Sequence, residues 1–139
     1  MKIIILFLFM NIFFVKAQGL NVFTTCTKRP ITDTVSYLKK IEINKEKYIG
    51  KPFSNLLNDL GLLKPKITRI VFDKKINTIF KFSERDFYNK QVILIIFWEQ
   101  NFLPMPIKHF EKVNNFRFTT NEKNFYIDKT IKDIIVCSN

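Results

Sequence analysis

The chain has 139 residues and a formal charge of +11, with 23 lysines and arginines set against 12 acidic residues. This length suffices for one domain with its own core, and two cysteines with a single histidine exclude a disulfide-dense miniprotein or a zinc-stapled fold. Only four of the basic residues are arginine, whereas phosphate-binding sites favour the bidentate arginine fork, so nucleic acid is not the expected partner.

The first 17 residues have the pattern of a signal peptide. Lys2 supplies a positive start, residues 3–15 are an apolar run interrupted only by Asn11, and Ala17 completes a small-residue cleavage motif. The run is shorter than the about 18–20 residues that a membrane-spanning helix needs, although a retained anchor or a buried strand is the alternative. We predict export to the periplasm or the medium, cleavage after Ala17, and a single domain over residues 18–139 without a transmembrane anchor.

The two cysteines, Cys26 and Cys137, lie near the two ends of the mature chain. An even number of cysteines placed in this way favours a disulfide in an exported protein. Closing a loop of about 110 residues would contribute about 4 to 5 kcal/mol in the chain-entropy model. We predict a disulfide between Cys26 and Cys137, with two unpaired thiols as the alternative.

Two short helices are predicted ahead of the strands. The first begins near Thr32 and Asp33, and apolar residues then recur at helical spacing. The second has the clearest pattern in the chain, because Pro52 stands where a first helical residue is favoured and Gly61 where the residue just past a helix end is favoured. Its apolar stripe follows the i, i+3, i+4, i+7 spacing of a helix that packs on a sheet: Phe53, Leu56, Leu57 and Leu60.

From residue 66 onward the apolar pattern changes from the helical to the strand period. Residues 67–73 and 76–82 are separated by a hairpin-sized gap, and residues 91–98 are apolar on both faces, as in a central strand. Residues 116–118 and 131–136 are further strand candidates. This order predicts an α+β fold, in which two short N-terminal helices pack on one face of an antiparallel sheet of about four to five strands.

Basic residues concentrate around the predicted first hairpin. Such a cluster is a possible anion-binding site, although a solvated lysine surface in a protein from an AT-rich genome is the alternative. The phenylalanines of this region belong to the core on their alternation, so they are not free to stack on bases. The candidate anion-binding residues are Lys64, Lys66, Arg69, Lys74 and Lys75.

A loop stiffened by Pro104 and Pro106 carries apolar side chains, and a short helix is predicted after it over residues 108–114. An exposed apolar loop marks a partner-binding surface, whereas a loop that closes over the end of the core is the alternative. The candidate partner-binding residues are Phe102, Leu103, Met105 and Ile107.

Three carboxylates are the only candidates for acid–base chemistry. Glu84 and Asp86 share one loop after residue 83, and Glu99 follows the central strand. The alternative interpretation is that Glu84 and Asp86 belong to a capped helical turn and that Glu99 is a solvated residue at a strand end. His109 is expected on the surface, and no spacing of histidine and cysteine matches a metal site, so we predict no catalytic residue, no metal and no cofactor.

Residues 48–61, Tyr-Ile-Gly-Lys-Pro-Phe-Ser-Asn-Leu-Leu-Asn-Asp-Leu-Gly, follow a short phenylalanine-rich signal peptide. In this layout the chain resembles small exported proteins of Bacteroidota that have no known function, and the Gly-Lys-Pro-Phe helix start is the specific part of the likeness. The same segment is superficially similar to PASTA repeats, but it occurs once and a long sheet follows it. The resemblance implies export and supplies no catalytic residues.

The sequence therefore favours an exported, non-enzymatic domain that binds a protein or an anionic component of the envelope. A small secreted hydrolase that uses Glu84, Asp86 or Glu99 is the first alternative, and two convergent carboxylates in one pocket would support it. An inhibitor or immunity-type protein is the second, on analogy of fold alone.

Overall fold

The computed structural model of the chain describes residues 33–84 and 92–138, which belong to one compact unit spanning residues 31–139. The predicted signal sequence, Cys26 and Asp86 lie outside the described residues. The elements are α1 (Thr34–Ile43), a 3₁₀ turn (Lys45–Lys47), α2 (Phe53–Leu60), β1 (Ile67–Phe72), β2 (Ile76–Lys81), β3 (Val92–Trp98), α3 (Met105–Val113), α4 (Thr120–Tyr126) and β4 (Ile131–Ser138). The predicted α+β class is confirmed.

The described strands form one antiparallel sheet in the order β1-β2-β3-β4. Ile79, Ile95 and Ile135 stand in register across β2, β3 and β4, which fixes the alignment of the inner strands. β3 lies between two partners, as its apolar character on both faces predicts. Four strands agree with the lower end of the predicted number.

The first two helices form where the sequence predicts them. Asp33 caps α1, because its carboxylate accepts a hydrogen bond from the Ser36 amide at 3.0 Å. Pro52 is the N-cap of α2 and not its first helical residue, since its backbone is still extended there (φ −61°, ψ 147°). Gly61 ends α2 with φ +57°, a left-handed backbone that favours glycine.

Aromatic rings from helices and strands meet in the core. The ring of Phe53 on α2 stacks on Phe80 of β2, with 5.1 Å between centroids, and meets Trp98 of β3 edge-on at 5.5 Å. The ring of Tyr126 on α4 stacks on Trp98 at 5.2 Å. These offset and edge-on contacts add to the burial of large apolar surfaces, and they join rings from α2 and α4 to rings from β2 and β3 in one aromatic cluster.

The prediction of a strand over residues 116–118 is wrong. Asn115 and Phe116 adopt positive φ values of 49° and 60°, which are incompatible with an extended strand. Only a single bridge, between Ile67 and Arg117, joins this segment to β1. The helix α4, which the pattern analysis did not predict, follows at once and begins with a capping box formed by Thr119 and Glu122.

Glutamates from two helices cover both edges of the sheet. Glu42 of α1 accepts a hydrogen bond from the Val136 amide of β4 at 2.8 Å, and Lys39 donates to the Val136 carbonyl at 2.7 Å. On the opposite edge, Glu111 of α3 accepts a hydrogen bond from the Ile70 amide of β1. These contacts occupy backbone groups that would otherwise be open to pairing with another strand.

Candidate binding surfaces

The five candidate anion-binding residues are all exposed, but the structure does not bring them together. Lys64 and Lys66 precede β1, whereas Lys74 and Lys75 lie in the hairpin at its other end. A six-residue strand spans about 20 Å, so the two lysine pairs cannot contact one small ligand at the same time. Arg69, in the middle of β1, lies beside a different set of cations.

That set surrounds a cavity of about 600 Å³ between β1 and α3, which we call the β1–α3 groove. Arg69 from the strand and Lys108 and Lys112 from the helix line it. The two lysines are one helical turn apart, so both project from the same side of α3. The aromatic rings of Phe72 and Phe116 also line the groove.

The aromatic rings are positioned by specific contacts. The Lys108 ammonium lies 4.9 Å from the centroid of the Phe72 ring, a cation–π distance. Phe116 is 44% exposed although it is a large apolar residue. Its amide donates to the Glu111 carbonyl and its carbonyl accepts from the Thr68 amide, each at 2.8 Å, so the strained residue is fixed at both ends.

A left-handed phenylalanine is uncommon, because its Cβ crowds the following carbonyl at a cost of about 1 to 2 kcal/mol. Asn115, its neighbour, is a residue type that tolerates this backbone. Strain of this kind concentrates at binding and catalytic sites. Here the left-handed backbone at Asn115 and Phe116 turns the chain so that the exposed Phe116 ring lies beside the cations of the groove.

Glu111 is the one carboxylate among the groove residues, and it is 5% exposed. Burial raises its pKa above the ordinary value, although the hydrogen bond from the Ile70 amide and the charge of Arg69 oppose that rise. Since its oxygen is engaged with the sheet edge, Glu111 holds the wall of the groove. The surface offered to a ligand is therefore strongly cationic.

The predicted partner-binding loop is partly wrong, because α3 begins at Met105 and so takes in Met105 and Ile107. Leu103, in the loop, and Met105, at the start of the helix, are 80% and 73% exposed, as a partner-binding surface requires. Ile107 is fully buried, and the ring of Phe102 contacts Trp98 and Phe125 at 6.3 and 5.3 Å. Phe102 and Ile107 thus belong to the core side of this segment, while Leu103 and Met105 remain on the surface.

The candidate acid–base residues that can be placed do not converge. Glu84 follows β2 and Glu99 follows β3, and because the two strands are antiparallel these residues lie at opposite ends of the sheet. His109 is exposed on α3. In residues 33–84 and 92–138, no three histidine, cysteine or acidic side chains form a group that could hold a metal ion. Within the same ranges, no helix has the length and apolar character to cross a membrane.

A second surface lies on the sheet itself. On β3, Ile93, Ile95 and Phe97 alternate with the buried Leu94, Ile96 and Trp98. We call the side of the sheet that carries Ile93, Ile95 and Phe97 the outer face. Ile79 and Ile135 flank this row on the neighbouring strands. In the part of the chain that the structure describes, the side chains that form the core or pack against it do not include these five.

Cys137 lies at the end of β4, opposite Ile93, and is a free thiol in the structure. Its predicted partner Cys26 is outside the described residues. The disulfide between Cys26 and Cys137 therefore stays a prediction.

Lys108, Lys112 and Phe116 are not distinguished as binding residues by the sequence pattern alone. The i, i+4 spacing of the two lysines was available as a signal, but their proximity to Arg69 depends on how α3 packs beside β1. No protein-family model, curated protein or solved structure matches this chain.

Proposed function

We propose that the chain is an exported, non-enzymatic binding domain that recognises an acidic segment of a partner protein through the β1–α3 groove. The observation that supports this function best is the grouping of Arg69, Lys108 and Lys112 around two aromatic rings and a strained, exposed Phe116. Export itself is proposed from the signal pattern, as is membership of the small exported proteins of Bacteroidota.

The groove has the chemistry that an acidic peptide requires. The Arg69 guanidinium can bind a carboxylate with two parallel hydrogen bonds, while lysine ammonium groups act as compact point charges for further carboxylates. The Phe116 ring offers apolar area next to these charges. A segment with carboxylates beside an apolar side chain would match both features, and attraction between opposite charges would speed its association.

The proposal includes the arrangement of the helices that the sequence predicts, with α1 and α2 on one face of the sheet. The contacts of Phe53 with Phe80 and Trp98 support this placement for α2. The contacts of α1 support a position beside β4, where Leu38 and Ile41 are buried.

Binding to immobilised poly-L-glutamate tests the groove. We expect the double variant Lys108→Gln/Lys112→Gln to bind about tenfold more weakly than the wild type, because two charge contacts of about 0.7 kcal/mol each are removed. The dependence of affinity on salt should also become shallower, since fewer counterions are displaced. Surface plasmon resonance at several salt concentrations measures both quantities.

The matched control is Lys74→Gln/Lys75→Gln, which removes the same charge from the hairpin. We expect it to change affinity less than about twofold. Equal losses of affinity in the two double variants would show that binding depends only on the overall charge of the protein, and they would contradict the proposed site. Phe116→Asn should fold as the wild type does, because asparagine tolerates the left-handed backbone at this position. Loss of the ring should weaken binding of an acidic peptide that contains phenylalanine, whereas binding of poly-L-glutamate should be unchanged.

Export is tested by intact mass of the protein recovered from the envelope or medium of a producing bacterium. We expect a mature chain that begins at Gln18. Ala17→Tyr should leave the precursor uncut, because the position before the cleavage site must hold a small residue, whereas Lys16→Gln should be cut normally. A protein that retains Met1 in both the wild type and the Lys16→Gln control would contradict export by this route.

A further inference from the structure

Glu111 is a buried carboxylate in the wall of a cationic groove. It lines the β1–α3 groove from α3 and is only 5% exposed. One of its oxygens accepts a hydrogen bond from the Ile70 amide of β1, and among the described residues the other oxygen has no hydrogen-bond partner. A buried carboxylate with a single hydrogen bond is poorly solvated, so the stability of its negative charge depends on neighbouring cations.

The charged groups that act on Glu111 come from three elements. Arg69 of β1 and Lys108 of α3 favour the carboxylate form, whereas the charge of Glu122 on α4 disfavours it. Tyr126 of α4 is also within electrostatic range, but burial raises its pKa, so its hydroxyl stays neutral. Burial of Glu111 outweighs the two cations and the backbone hydrogen bond, and its pKa therefore lies above the ordinary value.

The cations that favour the Glu111 carboxylate are also those that an anionic ligand needs. Arg69, Lys108 and Lys112 line the same groove, and none of them forms a salt bridge with another described residue. A ligand anion that pairs with Arg69 or Lys108 shares these cations with Glu111 and adds a second negative charge beside it. Two like charges in one site raise the pKa of the group that can be protonated. Ligand binding thus favours the protonated form of Glu111.

We propose that Glu111 takes up a proton from solvent when an anionic ligand occupies the β1–α3 groove, so that acidification strengthens binding. This inference rests on the proposed function of the groove. The protonated carboxyl no longer repels the ligand, and the oxygen that does not accept from the Ile70 amide gains an O–H group that can donate to a ligand oxygen. By linkage, affinity rises as the pH falls through the pKa of Glu111 in the bound state, and it levels off below the pKa of the free state.

Isothermal titration calorimetry of the mature chain with sucrose octasulfate tests the proposal, because the sulfate groups of this compact polyanion stay ionised at every pH used. Titrations in buffers of different ionisation enthalpy count the protons taken up on binding. His109→Gln is the parent protein throughout, since the exposed His109 on α3 would otherwise gain its own charge on acidification. We expect proton uptake by the parent, and an affinity that rises at least about threefold from about pH 7.5 to about pH 5.

Glu111→Gln, made in this parent, keeps an oxygen for the Ile70 amide but cannot take up a proton. Its affinity at about pH 7.5 should exceed that of the parent about threefold, because the repelling charge is gone, and it should lose the proton uptake and most of the pH dependence. Glu46→Gln is the matched control, since it removes the same charge from an exposed position on the 3₁₀ turn. It should keep the proton uptake of the parent and gain less than about twofold in affinity.

Circular dichroism and thermal unfolding establish that each variant is folded. The ¹³C resonance of the Glu111 carboxyl, followed against pH with and without sucrose octasulfate, gives an independent measurement on the parent, and its titration midpoint should rise on binding. Equal proton uptake by Glu111→Gln and the parent, or an unchanged midpoint, would overturn the inference and leave the groove as a binding site. Equal affinities of Lys108→Gln/Lys112→Gln and the parent would instead contradict the proposed function, and the inference would fall with it.

Discussion

Leu56→Ala should lower the free energy of unfolding by about 2 to 5 kcal/mol, whereas Leu57→Ala on the same helix should cost about 1 kcal/mol. Leu56 is fully buried in the cluster formed by α2 and the sheet. Leu57 is half-buried and lines a surface groove together with Ser54 and Lys123. The same atoms are removed in both variants, so the difference between them reports which side of α2 faces the core.

Urea unfolding followed by circular dichroism measures both values. The slope of free energy against urea concentration should be unchanged, because neither variant alters the surface exposed on unfolding appreciably. Similar losses for Leu56→Ala and Leu57→Ala would contradict the proposed placement of α2 on the sheet. A small loss for Leu56→Ala would mean that the helix does not pack on the sheet.

α2 illustrates what local sequence can predict. Its apolar spacing, Pro52 and Gly61 all act within one or two helical turns, and the structure places the helix within one residue of the expected start. The sequence pattern includes Leu57 in the apolar stripe together with Leu56, because both fall at helical spacing. Which of two adjacent leucines is fully buried depends on the tilt of the helix on the sheet, and this is a tertiary property.

α4 shows the opposite case. Its seven residues, Thr-Asn-Glu-Lys-Asn-Phe-Tyr, have no apolar stripe, and two asparagines have weak helix propensity. The Thr119-x-x-Glu122 capping pattern was a usable signal, but the neighbouring Phe-Arg-Phe has strand-like alternation. The left-handed Asn115 and Phe116 end that apparent strand, and no local propensity predicts a phenylalanine at positive φ.

The candidate binding surfaces could also be predicted only in part, because local sequence reveals some of their residues and tertiary packing decides the rest. The apolar character of residues 91–98 on both faces was visible in the sequence, and it correctly predicted an inner strand. That one of those faces lies outside the core of the described residues depends on where the helices pack. Likewise, Arg69 was a candidate from the sequence, but the lysines that join it come from a helix about 40 residues later in the chain.

Glu122 joins the end of α3 to the start of α4. It is fully buried, and its Oε1 accepts a hydrogen bond at 2.7 Å from the side-chain amide of Asn114, which caps α3. Its Oε2 accepts hydrogen bonds from the amide and the hydroxyl of Thr119, which caps α4. Burial by itself would raise the pKa of Glu122, but these hydrogen bonds outweigh that effect and hold the pKa below its ordinary value.

Glu122→Gln should therefore lower the free energy of unfolding by about 2 to 3 kcal/mol at pH 7, because one oxygen is replaced by an NH₂ group that faces donors from Asn114 or Thr119. The pH dependence has a definite sign. A carboxylate whose pKa is lower in the folded than in the unfolded chain contributes its full stabilisation above the unfolded value of about 4.3, and that contribution is lost as the pH falls through the folded pKa.

The gap in stability between wild type and Glu122→Gln should accordingly stay constant from about pH 8 to about pH 5.5 and narrow below about pH 4.3. The Glu122 charge contributes to the raised pKa of Glu111, so the titration of Glu111 moves to lower pH in Glu122→Gln and adds a smaller change to the difference. Urea unfolding at a series of pH values gives the measurement, and Glu46→Gln is the matched control, since Glu46 is exposed on the 3₁₀ turn. A gap that widened on acidification would show that Glu122 is held in the folded chain by its protonated form, and would contradict the role of its carboxylate as the acceptor that connects α3 to α4.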